Sequence, residues 1–123
     1  MPFAISDDML LDLLACDVLR VVNADVDPQL IKNGRLLVPE LVRQRGRFRI
    51  ADSVARYAWR IHWQGSRRRI VRAKLVYMAV HGVILPPDWQ VHHKDENRLN
   101  DAIGNLEAKH IDDHKGVHYD QEY

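Results

Sequence analysis

The feature that most constrains this chain is a histidine-rich segment that runs from Gln90 to His118. It holds five of the seven histidines of the 123-residue sequence, and few of its central residues are apolar enough to build a core. His92 and His93 are adjacent, whereas His114 and His118 are four residues apart. Imidazoles at that second spacing lie on one face of a helix, which suits the binding of a transition metal. The histidine doublet and the two histidines on the helix can together surround one metal ion.

Eight positions of this segment stand at fixed offsets, as H-H-x-D-x-x-x-x-N followed by N-L and H-x-x-x-H. They are His92, His93, Asp95, Asn100, Asn105, Leu106, His114 and His118. This pattern resembles the HNH endonuclease family, also called the ββα-metal or His-Me finger nucleases. The match needs no gap and covers about a quarter of the chain. Gly34–Pro39 and Lys74–Gly82 extend the resemblance more loosely.

The resemblance implies a role for each matched histidine and for one asparagine. In the family, the position of His93 is the general base and that of His92 is a metal ligand. Asn105 matches the asparagine that holds the loop and orients the base, and His114 and His118 match two further ligands. The implied reaction is hydrolysis of DNA phosphodiester bonds with one divalent metal, leaving a 5′-phosphate and a 3′-hydroxyl. Neutral imidazole suits the base because it accepts a proton near neutral pH.

The implied ligands are all imidazoles, which bears on the choice of metal. Many family members have Asp at the position of His92 and Asn at that of His114, a set that favours Mg²⁺. Nitrogen ligands favour Zn²⁺, Ni²⁺, Co²⁺ or Mn²⁺, so we expect one ion of this group, with Mg²⁺ as an alternative. The run H-I-D-D-H-K-G also resembles the helix of the nuclease colicins, which leaves open that His110 replaces His118.

Positive charge is concentrated in the middle of the chain. The net charge is only +1, but residues 34–74 carry twelve basic and two acidic side chains. Arg56–Trp63 alternates apolar and polar residues, and Arg67–Arg72 returns after a turn at Gln64-Gly65-Ser66. A two-stranded ribbon fits the major groove of B-DNA, and arginine binds both phosphate and guanine. We therefore expect DNA contacts from Arg56, Arg60, Arg67, Arg68, Arg69 and Arg72.

The rest of the sequence predicts short helices and strands. Upstream we expect a helix from Met9 to about Asn23, a short strand at Leu36–Val38, a strand that carries Arg43, Arg45, Arg47 and Arg49, and a helix at Leu75–His81 that Gly82 ends. In the histidine segment we expect a strand at Val91–His93, a loop at Lys94–Asp101, a strand at Asn105–Ala108 and a helix at Ile111–Tyr119. A bulge or a strand end must bring His92 and His93 to one site, because neighbouring strand residues point to opposite faces.

These elements predict one small α+β domain over residues 1–123, since a chain of this length builds one modest core. We expect an N-terminal helical segment at 1–33, an arginine-rich β-hairpin with a small antiparallel sheet at 34–74, and a short helix with the ββα-metal motif at 75–123. The single cysteine, Cys16, permits no internal disulfide. The sequence shows neither a secretory signal nor a membrane-spanning run, so we expect a cytoplasmic protein in a bacterial host, without a membrane partner.

Two other functions remain open from the sequence. One is a DNA-binding regulator that uses the arginine hairpin and keeps a structural metal. The other is a packaging accessory, of the kind that phages encode, which cuts DNA with a partner such as a terminase. The apolar N-terminal helix is also compatible with a homodimer.

Overall fold

The computed structural model describes residues 7–44 and 54–110. In chain order the elements are α1 (Asp7–Ala15), β1 (Leu19–Val22), β2 (Gln29–Lys32), β3 (Arg35–Leu37), β4 (Glu40–Gln44), β5 (Val54–Trp63), β6 (Ser66–Val71), α2 (Arg72–His81), β7 (Trp89–His93), a 3-10 turn (Ile103–Asn105) and β8 (Leu106–His110). The strands form three antiparallel sheets, in the orders β1-β2-β3, β4-β5-β6 and β7-β8. Helices beside small antiparallel sheets confirm the predicted α+β class.

The N-terminal helix is shorter than predicted. We expected it to continue to about Asn23, but α1 ends at Ala15 and β1 follows. Asp17 has a φ of 60°, in the left-handed region, and the amide of Val18 donates to the carbonyl of Leu13 over 3.0 Å. This bond across a left-handed residue closes a helix C-terminus. The valines beyond it pair in β1 instead, because extended backbone suits side chains that branch at Cβ.

The predicted arginine-rich hairpin forms, with its second strand at Ser66–Val71 instead of Arg67–Arg72. β5 and β6 pair along the whole of β6, and Gln64 and Gly65 connect them with φ angles of 49° and 78°. Two consecutive residues at positive φ make the tight turn that matches the twist of the flanking strands. β4 pairs with the other edge of β5 and includes Arg43. The predicted positions Arg45, Arg47 and Arg49 lie outside the described residues.

The second helix follows β6 without a loop. It begins at Arg72, three residues before the predicted start at Leu75, and it ends at His81. Gly82 has a φ of 63°, and its amide donates to the carbonyl of Met78. A side chain would be strained in that left-handed conformation, so glycine provides the predicted stop.

The last two described strands form a ribbon that carries the histidine doublet. β7 and β8 keep a regular register from Trp89↔His110 to His93↔Leu106, so no bulge interrupts this ribbon. His93 is the last residue of β7, so the doublet lies at a strand end. The predicted helix at Ile111–Tyr119 lies outside the described residues.

One apolar core joins the three sheets and both helices. Its fully buried members include Leu10 of α1, Leu19 of β1, Trp59 of β5 and Leu75 of α2, and Leu106 of β8 is 4% exposed. The ribbon with the histidine doublet is thus anchored to the same core as the arginine hairpin. Among the described helices, none has the length and apolar character needed to cross a membrane.

Candidate active site

The histidine doublet occupies buried positions at the end of β7. His92 is 9% exposed and His93 is 4% exposed, and their strand partners are Glu107 and Leu106. Successive residues of a regular strand project to opposite faces. The two imidazoles therefore leave the ribbon on different sides and have different surroundings.

A buried charged network holds the ring of His93. Its Nε2 lies 2.7 Å from Oδ1 of Asp101, and Nε of Arg72 donates to Oδ2 of Asp101 over 2.8 Å. Asp101 is 1% exposed and Arg72 is 4% exposed. Burying a carboxylate is costly unless it is paired and hydrogen-bonded. Because each oxygen of Asp101 has its own nitrogen partner, the three side chains form one unit, named here the His93–Asp101–Arg72 network.

Additional contacts fix the guanidinium of Arg72. Its Nη1 donates to Oδ1 of Asp27 and to the carbonyl of Pro28, and its Nη2 donates to the carbonyl of Leu99, each over 3.3 Å. The guanidinium also lies over the ring of Tyr57, 4.4 Å from its centroid. These hydrogen bonds and the aromatic ring of Tyr57 together hold the guanidinium in one position.

The sequence predicts Arg72 at the DNA interface, whereas the structure buries it against Asp101, the partner of His93. A guanidinium this buried would have to break the contacts that hold Asp101 before it could reach a phosphate. Asp101 itself was missed among the candidate site residues. Its sequence position, next to Asn100 in a polar loop, does not distinguish it from the loop-shaping residues around it.

The loop between β7 and β8 is organised around the carboxylate of Asp95. Oδ1 accepts hydrogen bonds from the amide of Asn97 and from Nδ2 of Asn105, each 2.8 Å long, and Oδ2 accepts one from Nδ2 of Asn100 at 2.9 Å. Hydrogen bonds to the ionised form favour it. They hold the pKa of Asp95 below its ordinary value, and the bond from Asn100 contributes most.

Asn105 closes this loop from its far end. Its Oδ1 accepts from the amide of Asp95 over 3.0 Å, its Nδ2 also donates to the carbonyl of Asn100 over 2.9 Å, and its own carbonyl accepts from the amide of Lys94 over 2.8 Å. Asn105 therefore holds the backbone directly after His93. The side-chain contact to the ring of His93 comes from Asp101.

Only one of the three predicted metal ligands lies among the residues that the structure describes. His92 is described, whereas His114 and His118 lie outside the described residues. Across 7–44 and 54–110, no three His, Cys, Asp or Glu side chains are grouped closely enough to hold a metal ion. The alternative ligand His110 has its Nε2 2.9 Å from Oδ2 of Asp88. A metal at that nitrogen would have to displace the carboxylate.

The exposed face of the arginine hairpin carries three of the predicted DNA contacts. Arg60 lies opposite Arg69, and His62 lies opposite Arg67, with all four side chains exposed. Arg60 also forms an exposed ion pair with Glu40, 3.3 Å long, which contributes little to stability at a solvated surface. Arg68 lies opposite the buried Ile61 and is half-buried, so it belongs to the other face of the hairpin.

Arg56 extends the positive surface toward the His93–Asp101–Arg72 network. Strand alternation places it on the same side of β5 as Arg60, four residues away. It is half-buried, and burial lowers its pKa, as does the nearby Arg98, whereas Asp101 acts in the opposite direction. Its Nε is buried and has no hydrogen-bond partner in the described part of the chain.

Comparison with known proteins finds one family. Residues 74–115, about a third of the chain, match the model of the HNH endonuclease family. Neither the curated proteins nor the solved structures contain a significant match. The matched residues include most of α2, the β7-β8 ribbon, the histidine doublet, Asp101 and Asn105. This segment of the chain is therefore similar to the HNH endonuclease family.

Proposed function

We propose that this protein is a metal-dependent DNA endonuclease that hydrolyses phosphodiester bonds. The observation that carries the proposal is the family match over residues 74–115, which spans the strand end with His92 and His93 and the loop that Asn105 closes. The match to this family supports nuclease activity. The products we propose are a 5′-phosphate and a 3′-hydroxyl.

His93 is the general base in this proposal. With Nε2 directed at Asp101, the other ring nitrogen, Nδ1, is the atom that takes a proton from the attacking water. The water oxygen then bonds to phosphorus, the bond from phosphorus to the 3′ oxygen breaks, and that oxygen leaves with a proton from solvent. Asn105 contributes by fixing the backbone next to His93.

The proposed metal ligands are His92, His114 and His118. The donor chemistry is suitable, since three imidazole nitrogens bind Zn²⁺, Ni²⁺, Co²⁺ or Mn²⁺ well, and they leave coordination positions open. The described residues supply one of these ligands, and the other two come from the segment after His110. When bound, the ion acts as a Lewis acid that stabilises charge on the phosphate and on the departing oxygen.

The proposed DNA surface follows the exposed face of the hairpin toward His93. Arg60, Arg67 and Arg69 would contact phosphates, because they are exposed and point to one side. Arg56 lies further along the same face, roughly 13 Å from Arg60 at about 3.3 Å per strand residue. Its position near Asp101 suits a contact with the phosphate next to the one that is cut.

The test is cleavage of supercoiled plasmid with Mg²⁺, Mn²⁺, Co²⁺, Ni²⁺ or Zn²⁺. We expect the wild-type protein to nick or linearise the plasmid with at least one ion, leaving ends that a DNA ligase can join. His93→Ala should abolish cutting and still bind the metal. His81→Ala, which alters an exposed histidine whose ring contacts Tyr77, is the matched control and should cut normally.

Cutting by His93→Ala at the wild-type rate would contradict the assignment of the base. Tight DNA binding without cleavage in any ion would instead support a regulator with a structural metal. Dimer formation and dependence on a packaging partner stay predictions, for which gel filtration and cleavage in the presence of a terminase are the measurements.

A further inference from the structure

We propose that Asp101 is a positioning residue that selects the tautomer of His93. Because Arg72 binds one oxygen of Asp101, the selection requires a carboxylate, which has a second oxygen for His93. The inference rests on the proposed function, in which His93 is the base. It gives Asp101 and Arg72 a part in the reaction that could not be inferred from their residue types in the sequence.

The geometry of the His93–Asp101–Arg72 network favours one placement of the protons. Arginine has donors and no acceptor, so the 2.8 Å contact from Nε of Arg72 requires a bare oxygen at Oδ2 of Asp101. The other carboxylate oxygen, Oδ1, lies 2.7 Å from Nε2 of His93. In the proposed arrangement it accepts the proton of that nitrogen. The neutral imidazole then has its proton on Nε2 and its lone pair on Nδ1. That lone pair is the group a general base needs.

Arg72 determines what would happen if Asp101 were an asparagine. The amide has one acceptor oxygen, whereas the carboxylate has two. Contacts with Pro28, Leu99 and Tyr57 hold Arg72 in place. Its Nε–H therefore still needs a hydrogen-bond acceptor at the same position in the variant. The amide oxygen must therefore face Arg72, and the amide NH2 must face His93. Nε2 of His93 then becomes the acceptor, and the ring proton moves to Nδ1, where it blocks the base.

The contact between His93 and Asp101 would also suit a His93 that binds the metal instead of acting as the base. Histidines that bind metals through one nitrogen commonly donate the other N–H to a carboxylate. The two roles differ in what Asp101→Asn changes. If His93 is the base, the substitution lowers kcat and leaves metal affinity unchanged. If His93 is a ligand, the substitution weakens metal binding.

The experiment compares the full-length wild-type chain with Asp101→Asn in three measurements. Nitrogen-15 NMR of the histidine rings, with His93→Gln used to assign the signal, should show the Nε2–H tautomer in the wild type and the Nδ1–H tautomer in the variant. Plasmid cleavage should lose on the order of 10²- to 10⁴-fold in kcat, with KM unchanged. Metal affinity from calorimetry should change less than about threefold, because no ligand is altered.

Two further variants sharpen the result. Asp88→Asn changes the exposed carboxylate that pairs with His110 over 2.9 Å, and it should leave the ring of His93 and kcat unchanged. Arg72→Met combined with Asp101→Asn removes the donor that orients the amide. In this double variant the amide oxygen can turn to Nε2 of His93, so the Nε2–H tautomer and part of kcat should return.

The proposal is overturned if wild-type His93 has its proton on Nδ1, if Asp101→Asn keeps the wild-type kcat, or if metal affinity falls with kcat. The wild-type spectrum provides this test even if Asp101→Asn does not fold. The proposed function fails separately, when the wild-type protein does not cut DNA, and the tautomer measurement does not depend on cutting. Cleavage by the wild type and by Asp101→Asn, with none by His93→Ala, would reject the role of Asp101 and retain the base.

Discussion

Asp95 shows how one exposed carboxylate organises the loop that follows the histidine doublet. It accepts hydrogen bonds from Asn97, Asn100 and Asn105, and these bonds depend on its charge. The loop between β7 and β8 therefore has a built-in sensitivity to acid. Its effect on stability follows from the direction in which the pKa of Asp95 is shifted.

The pKa of Asp95 is lowered in the folded protein, so its contribution is present above the unfolded pKa, about 3.9. The contribution is lost as the pH falls through the lower folded pKa. We expect Asp95→Asn to lower the melting temperature at pH 7, with a difference from wild type that shrinks below about pH 4. Thermal unfolding followed by circular dichroism at several pH values measures this. Glu96→Gln, at the exposed neighbouring position, is the control, and a difference independent of pH for Asp95→Asn would contradict the expectation.

At the scale of the element, the β5-β6 hairpin has two faces with different tasks. One face presents Trp59 and Ile61 to the core, both at most 1% exposed, and the other presents Arg60, Arg67 and Arg69 to solvent. The same alternation that buries the aromatic residues therefore exposes the arginines. This separation allows the arginines to be altered without disturbing the core.

Replacing Arg60, Arg67 and Arg69 by alanine should weaken DNA binding and make it less sensitive to salt. Each lost phosphate contact lowers the slope of log K against log salt by about 0.9, so the three together remove up to about 3. Fluorescence anisotropy at several salt concentrations measures the slope. The control replaces two exposed arginines of the β1-β2-β3 sheet, Arg20 and Arg35, and should leave the slope unchanged. An unchanged slope in the triple variant would reject this face as the DNA surface.

At the scale of the whole molecule, the site depends on a core that distant elements build together. Leu106 follows Asn105 directly and packs in the same cluster as Leu10, Leu30 and Trp59. Through this buried side chain at the start of β8, the loop with the site is joined to the core that α1, β2 and the hairpin also build. Stability of the core and geometry of the site should change together.

We expect Leu106→Ala to reduce the free energy of unfolding by about 2–5 kcal/mol, since it leaves a cavity under the ribbon. Urea unfolding followed by tryptophan fluorescence measures the loss. Leu36→Ala, at a side chain that is 56% exposed, is the matched control and should stay within about 0.5 kcal/mol of wild type. Equal losses in the two variants would contradict the central place of Leu106.

The predictions that hold are those with a local cause. The hairpin turn follows from Gln64-Gly65, the end of α2 follows from Gly82, and both needed only their own neighbours in sequence. The first helix was predicted too long because its apolar run suits either a helix or a strand. The left-handed Asp17, which separates α1 from β1, carries no unambiguous mark in the sequence.

The sequence by itself determined the histidine doublet, the asparagine that closes the loop and the alternation of the hairpin, because these depend on residue type and spacing along the chain. The tertiary structure alone decided that Arg72 turns inward, since that requires Asp101 from a loop twenty-nine residues away, together with Tyr57 and the carbonyl of Pro28. Arginine and aspartate usually lie at the protein surface, and they are buried only where such partners pair with them. A buried charge network is a long-range property, and only folding brings its members together.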